Sequence, residues 1–184
     1  TSQTSPTIYS ASALVTTQAY APPKISVEPL SLESTQETGQ ISTQPLTISN
    51  GNGVTLTYAI TLSQPWITVN PTDGSVSSNS ALPVDVIFDA TALQPDIYTA
   101  TLHVISNDPL YSMIDIPVML TVIPVTPTAV TVVGAENGWT DSPYTFTATV
   151  EPISTTLPLT YTWQVDGQTP VTHTSGLTDT SAYT

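Results

Sequence analysis

Cysteine is absent from this 184-residue chain. That removes disulfide frameworks, cysteine-ligated zinc, iron–sulfur clusters and thiol catalysis together. Positive charge is nearly absent too: Lys24 is the only base, against 14 acidic residues, for a net charge of −13. Binding a phosphate backbone needs a basic footprint, so nucleic acid is excluded as a partner class, and anionic membrane surfaces on the same ground. Glycine, at 8 residues, is too scarce for a collagen-like or glycine-rich chain. No apolar run is long enough for a transmembrane helix, so membrane insertion is not expected. Charged residues make up 8% and hydrophobic residues 39%, the reverse of the low-hydrophobicity, high-charge balance that keeps chains disordered.

What fills the chain instead is threonine, at 35 residues, with 20 serines and 17 prolines. Threonine is β-branched and suits the wet face of a pleated sheet. Proline closes edges and turns. The composition predicts an all-β protein without helices. Acidic, cysteine-free and nearly free of trypsin-type cleavage points, the chain has the profile of a secreted prokaryotic protein with an extracellular or cell-surface location.

Four segments follow. Residues 1–24 form an extended N-terminal segment. Within it Ile8 opens a strand-like run in which Tyr9, Ala11, Ala13 and Val15 share one face by the two-residue period, and Ala21-Pro22-Pro23 reads as a stiff spacer. Residues 25–123 read as one antiparallel sandwich of roughly seven strands, the size of an immunoglobulin-like domain. The expected strands cover residues 25–32, 44–49, 55–62, 65–69, 83–89, 97–106 and 112–123. Turns are expected at Asn50-Gly51-Asn52-Gly53, Asn70-Pro71-Thr72-Asp73-Gly74 and Asn107-Asp108-Pro109. The inward set is Val84, Val86, Phe88, Tyr98, Leu102, Val104, Ile116, Val118 and Leu120. Residues 124–127, Pro124-Val125-Thr126-Pro127, make a stiff linker. Residues 128–184 begin a second module, with strands at 128–133, 144–150, 159–165, 171–174 and 178–184, short of the usual closing strands. The fold class is therefore two tandem immunoglobulin-like β-sandwiches, the second incomplete.

Two stretches of the first module carry a family resemblance. Pro65-Trp66-Ile67-Thr68-Val69-Asn70-Pro71-Thr72-Asp73-Gly74-Ser75-Val76 resembles the Trp-centred stretch of bacterial immunoglobulin-like repeats of the BACON type. Asp96-Ile97-Tyr98-Thr99-Ala100-Thr101-Leu102, followed by Ser106-Asn107-Asp108-Pro109, resembles the later strand and turn of the same repeats, with Asp96 in place of the usual glycine. The second module, from Tyr144-Thr145-Phe146-Thr147-Ala148-Thr149-Val150 to Tyr161-Thr162-Trp163, is similar to PKD-type repeats, which continue with two more strands past the equivalent of Tyr183. The resemblance implies an extracellular bacterial setting. Such repeats occur in adhesins, stalks and secreted hydrolases, so they specify fold rather than activity.

Catalytic, cofactor and metal residues are not expected. The only imidazoles, His103 and His173, fall in different modules, too few for a triad or a zinc site. Asp85 and Asp89 share a strand exterior, and Asp73, Asp96, Asp108 and Asp115 lie at turns or exteriors, where carboxylates accept backbone hydrogen bonds. Glu136-Asn137-Gly138 with Asp141, or Asn107-Asp108, offers oxygen ligands for calcium without matching a known loop spacing. Lys24 could join an asparagine in an isopeptide bond; its plain role is a solvated linker lysine. Trp66 and Trp163 read as core tryptophans. Trp139 sits in a loop and is the candidate contact for a carbohydrate.

An incomplete sandwich leaves unpaired backbone groups and an open core, while residues 7–17 are a strand without a sheet. Three arrangements repair the defect: donation of Ile8, Tyr9, Ala11, Ala13 and Val15 to an identical neighbouring subunit, further strands in a longer chain, or return within the same chain. The expected function is a non-catalytic surface filament or stalk subunit. The alternative is an accessory or spacer module, carbohydrate-binding in one version, of a larger secreted hydrolase or adhesin.

Overall fold

The computed structural model describes residues 21–139 and 141–183, so the expected strand at Ile8, Tyr9, Ala11, Ala13 and Val15 lies outside the described residues. Within them the protein is all-β. The first module packs two sheets. One contains β1 (Ile25–Glu28), β3 (Ile41–Asn50), β7 (Ser80–Asp89) and β5 (Ile67–Asn70), in the order β1-β3-β7-β5. The other runs β2-β9-β8-β4-β6, from β2 (Leu32–Glu37), β9 (Met113–Ile123), β8 (Asp96–Ser106), β4 (Leu56–Leu62) and β6 (Asp73–Val76). The alternation read from the sequence sets what points inward: Val84, Val86 and Phe88 from β7 meet Leu102 and Val104 from β8 and Ile116, Val118 and Leu120 from β9, all buried. Tyr98 is half-buried and packs against this core. Trp66 closes one end, its ring 6.5 Å from Phe88 and 6.3 Å from Tyr98.

Three expectations for this module are corrected. Residues 25–32 are not one strand. Pro29 has no N–H to give to a ladder, and the chain leaves the first sheet after Glu28 and joins the second at Leu32. Pairing is not wholly antiparallel, because β2 runs parallel to β9, Leu32 opposite Val118 and Glu37 opposite Ile123. The turn read at residues 70–74 is shorter, since Asp73 and Gly74 already pair with Ala59 and Tyr58. Nine strands result.

The Ser106-Asn107-Asp108-Pro109 turn is a structural knot. The buried Asp108 carboxylate accepts the backbone N–H groups of Ile25 at 2.8 Å, Leu110 at 2.8 Å and Tyr111 at 3.2 Å. Asn107 grips the edge of β4, accepting from Thr57 N–H at 2.9 Å and donating to the Thr55 carbonyl at 3.1 Å. Burial raises the Asp108 carboxyl, but the three N–H groups and nearby Lys24 outweigh it, and its pKa lies below the ordinary aspartate value. The spacer reading of Ala21-Pro22-Pro23 is also corrected. Pro23 is buried, the Ala21 carbonyl accepts Val54 N–H at 3.0 Å, and the Lys24 carbonyl accepts Gly51 N–H at 2.8 Å. Gly53, at φ +82°, makes the docking possible, because a Cβ there would strike the Ala21 and Pro22 carbonyls. This part of the segment is bound to the first module.

The register fixes two poles. Ile25 pairs with Asn50, and Asn50 with Ser80, and Ile25 is tied to Asp108. The N-terminal segment therefore joins at the pole where β8 ends and β9 begins. Ile123, from which the linker departs, lies at the opposite pole, beside Glu37 and Thr38. Val125 is clipped to the second module, donating to the Thr156 hydroxyl at 2.8 Å and accepting Thr156 N–H at 2.9 Å.

The second module holds β10 (Ala129–Val133), β11 (Tyr144–Glu151) and β14 (Thr178–Tyr183) in one sheet, order β10-β11-β14, and β12 (Leu159–Trp163) with β13 (Val171–Ser175) in a separate two-stranded sheet. The β12–β13 hairpin turns through Gly167 at φ +76°, where the Asp166-Gly167 signal places it. All five strands stand where the sequence predicts them, to within two residues at each end.

Candidate functional site

The candidate site is an apolar surface on the second module. Its buried apolar core among the described residues is Ala148, Val150 and Tyr161, with Leu159 and Trp163 packed against it. On the three-stranded sheet the inward row continues past this core. Val130 lies opposite Val150, and Val132 opposite Ala148, yet Val130 and Val132 are 57% and 56% exposed. The hairpin covers part of the sheet and leaves these β10 side chains uncovered. Between them lies an apolar groove with adjoining cavities of about 240 Å³, walled by Val130, Val132, Ala148 and Tyr161, and about 330 Å³, walled by Val132, Phe146, Trp163 and Tyr183. At its far end the Tyr183 hydroxyl is buried with no hydrogen-bond partner among the described residues. Among the described residues β12 pairs with β13 alone, so its other edge has no ladder partner there.

A polar clamp sets the spacing of the two sheets. Asp179 on β14 faces the hairpin, and its Oδ2 accepts the Trp163 indole N–H at 2.6 Å and lies 2.8 Å from His173 Nδ1. The indole hydrogen bond is the main cause that holds the Asp179 carboxyl below its ordinary value; burial opposes it, and His173 and Thr180 N–H assist. The Tyr161 hydroxyl donates to the Gly176 carbonyl at 2.7 Å, and burial with the Asp179 charge raises its pKa. The clamp was not legible in the sequence: its three members come from three strands, and only Trp163 had been read as a core residue.

The comparisons bear on the first module. Residues 24–109 match the family model described as the viral BACON domain. The first module is BACON-like. Among curated proteins none matches the chain. The solved structures it is similar to include a PapD-like domain of human CEP192, 15% identical, covering 62% of this chain and 96% of that one at a TM-score of 0.49. A GH5 xyloglucanase from Bacteroides ovatus is 21% identical over 57% of this chain and 20% of its own, at 0.41. A chaperone–tip adhesin pre-assembly complex of Acinetobacter baumannii Csu pili is 9% identical over 88% of each chain, at 0.45.

In the BACON-like module the remaining candidates are apart from one another. His103, on the outward face of β8, pairs across the strands with Asp115 at 2.7 Å, the histidine half-buried and the aspartate exposed. His173 belongs to the clamp of the other module. Asp89 turns onto Thr91, whose hydroxyl and N–H lower its pKa. Asn50 sits beside Lys24 but gives its side-chain amide to the carbonyls of Val54 and Val76, so no isopeptide geometry forms there. Among the described residues no three His, Asp or Glu side chains converge as a metal site. Trp66 is core, Trp163 half-buried, and Trp139 stands 85% exposed, its backbone N–H donated to the Tyr144 hydroxyl at 2.6 Å. No helix among the described residues is long and apolar enough to cross a membrane.

Proposed function

We propose that the chain is a non-catalytic structural module of an extracellular surface, a subunit of a filament or stalk. The observation that carries this reading is the contrast within one chain between a BACON-like sandwich with one continuous buried core and a second module whose Val130 and Val132 stay exposed beside a small core. A surface of that kind is suited to taking up a further strand by backbone pairing. Among the described residues His103 is engaged in a cross-strand pair with Asp115 and His173 in the clamp with Asp179, a structural use of both imidazoles. The near absence of cationic side chains fits an exterior location and disfavours nucleic-acid partners.

The test is immunogold labelling of intact cells of the source organism together with turnover assays on polysaccharide and peptide substrates. Labelling of surface threads or stalks without turnover is the expected result; turnover abolished by His103→Ala or His173→Ala would refute it. One observation favours a second reading, an accessory carbohydrate-binding module: the 85% exposed Trp139 is free to stack on a sugar ring. Retardation on a polysaccharide affinity gel, abolished by Trp139→Ala, would select that reading.

A further inference from the structure

We propose that the BACON-like module is a tension-bearing link, in which β2 and β9 lock the chain against pull between the N-terminal segment and the linker. This deepens the structural reading above and rests on it.

The argument begins with where load enters. The chain runs into the module at the pole of Ile25 and Asp108 and leaves it from Ile123 at the other. The strands that carry it to these points lie side by side. β2 and β9 are neighbours in the five-stranded sheet and run parallel through six residue pairs, from Leu32 with Val118 to Glu37 with Ile123. Parallel pairing is what sends entry and exit to opposite poles. With β2 antiparallel to β9, both loads would arrive at one pole and open the ladder a bond at a time. Here pull draws the two strands past each other along their axes. The bonds between them share the load and must break together, within a slip of one residue, about 3.3 Å.

A slip of β2 also disturbs packing. Its inward row is Leu32, Ser34 and Gln36, with Leu32 and Gln36 buried, and a shift by one residue turns that row to the other face. Side-chain hydrogen bonds fasten the strand further. The Ser34 and Ser42 hydroxyls meet at 3.1 Å, and Gln44 donates to the Glu33 carbonyl at 2.8 Å, both tying β2 to β3. Gln36 donates to the Gln40 carbonyl at 3.3 Å and to the Phe88 carbonyl on β7 at 3.4 Å. Other ties gather where pull enters. At the exit, Thr38 N–H donates to the Ile123 carbonyl at 3.0 Å, so load from the linker meets β2 at once. At the entry, the Ala21 carbonyl holds Val54 N–H, the Lys24 carbonyl holds Gly51 N–H, and Asp108 holds Ile25 N–H, ahead of the pairing of β1 with β3. These bonds take the load first, and the β2–β9 lock stands behind them.

The experiment pulls single molecules of the 184-residue chain by two engineered cysteines, the chain having none of its own. One variant carries Ala21→Cys and Thr126→Cys, exposed positions beyond opposite poles. The other carries Ala21→Cys and Leu110→Cys, both exposed and both at the Ile25–Asp108 pole. Each leaves the second module outside the stretched span, and urea midpoints of all variants, read alongside, show that they are folded. Forced unfolding follows the barrier rather than the equilibrium stability, so the direction of pull should matter while the urea midpoint does not change. The expected result is a rupture force at least twofold higher between opposite poles. Adding Ser34→Ala and Gln44→Ala lowers that force and leaves the same-pole force unchanged. Equal forces in the two directions, or a lower force between opposite poles, overturn the proposal and leave the structural reading standing. A double variant that lowers both forces in proportion removes β2 as the lock. Directional resistance in a protein that the immunogold test finds absent from surface threads and stalks overturns the tension-bearing role together with the structural reading.

Discussion

The two modules are built from the same threonine-rich, alternating strands and reach opposite degrees of closure. In the first, 23 buried apolar residues form one continuous core between nine strands. In the second, three are buried, and β10 is exposed along its whole length despite three valines. Composition and pattern do not account for this. Val130 and Val132 are as apolar and as regularly spaced as Val84 and Val86. What differs is whether a strand lies opposite. Burial is a property of the pair of sheets, and a strand with the right pattern remains exposed until its facing partner is present.

The largest break in the comparison comes from the closed core. Leu102, fully buried between the sheets, should cost about 2–5 kcal/mol when replaced by alanine, read as a shift of the first-module transition in urea, with tryptophan signals of the second module unmoved. Asp108→Ala comes next. It strips three backbone N–H groups of their acceptor and should cost about 1–3 kcal/mol. The same group has a pH signature. Its carboxyl is depressed in the folded protein, so its contribution is complete above the ordinary aspartate range and is lost as pH falls through the depressed value. Acid titration followed by circular dichroism should show this loss in wild type and not in Asp108→Ala.

In the second module Asp179→Ala should release the Trp163 indole and let the hairpin swing from the sheet, read as loss of the near-ultraviolet tryptophan signal and faster proteolysis after residue 124. Asp179 is likewise depressed, so this signal should fade at acid pH and remain level through neutrality. The smallest effect belongs to His103→Ala. The His103–Asp115 pair is solvent-exposed, and stability should change by about 0.5 kcal/mol or less.

The period-two pattern made most strands legible, because an apolar residue at every second position has one way to face a core. That holds for Val84-Asp85-Val86 on β7 and for Ile116-Pro117-Val118 on β9. It did not expose the crossing at Pro29, where the pattern runs on from Val27 to Leu32 while the backbone changes sheets, nor the parallel pairing of β2, which depends on a partner 86 residues away. Asp108 was read only as a turn acid, because its third donor, Ile25, comes from a distant strand. The groove was legible as a deficit of strands. The Trp163–Asp179–His173 clamp was not, since no local spacing brings three strands together.

The most direct measurement is hydrogen exchange on the 184-residue chain. Amides of β7, β8 and β9, which lie across the continuous core, should be protected, while those of β10 and β12 exchange much faster. Amides of β10 and β12 as protected as those of β8 would contradict the contrast in closure between the two modules.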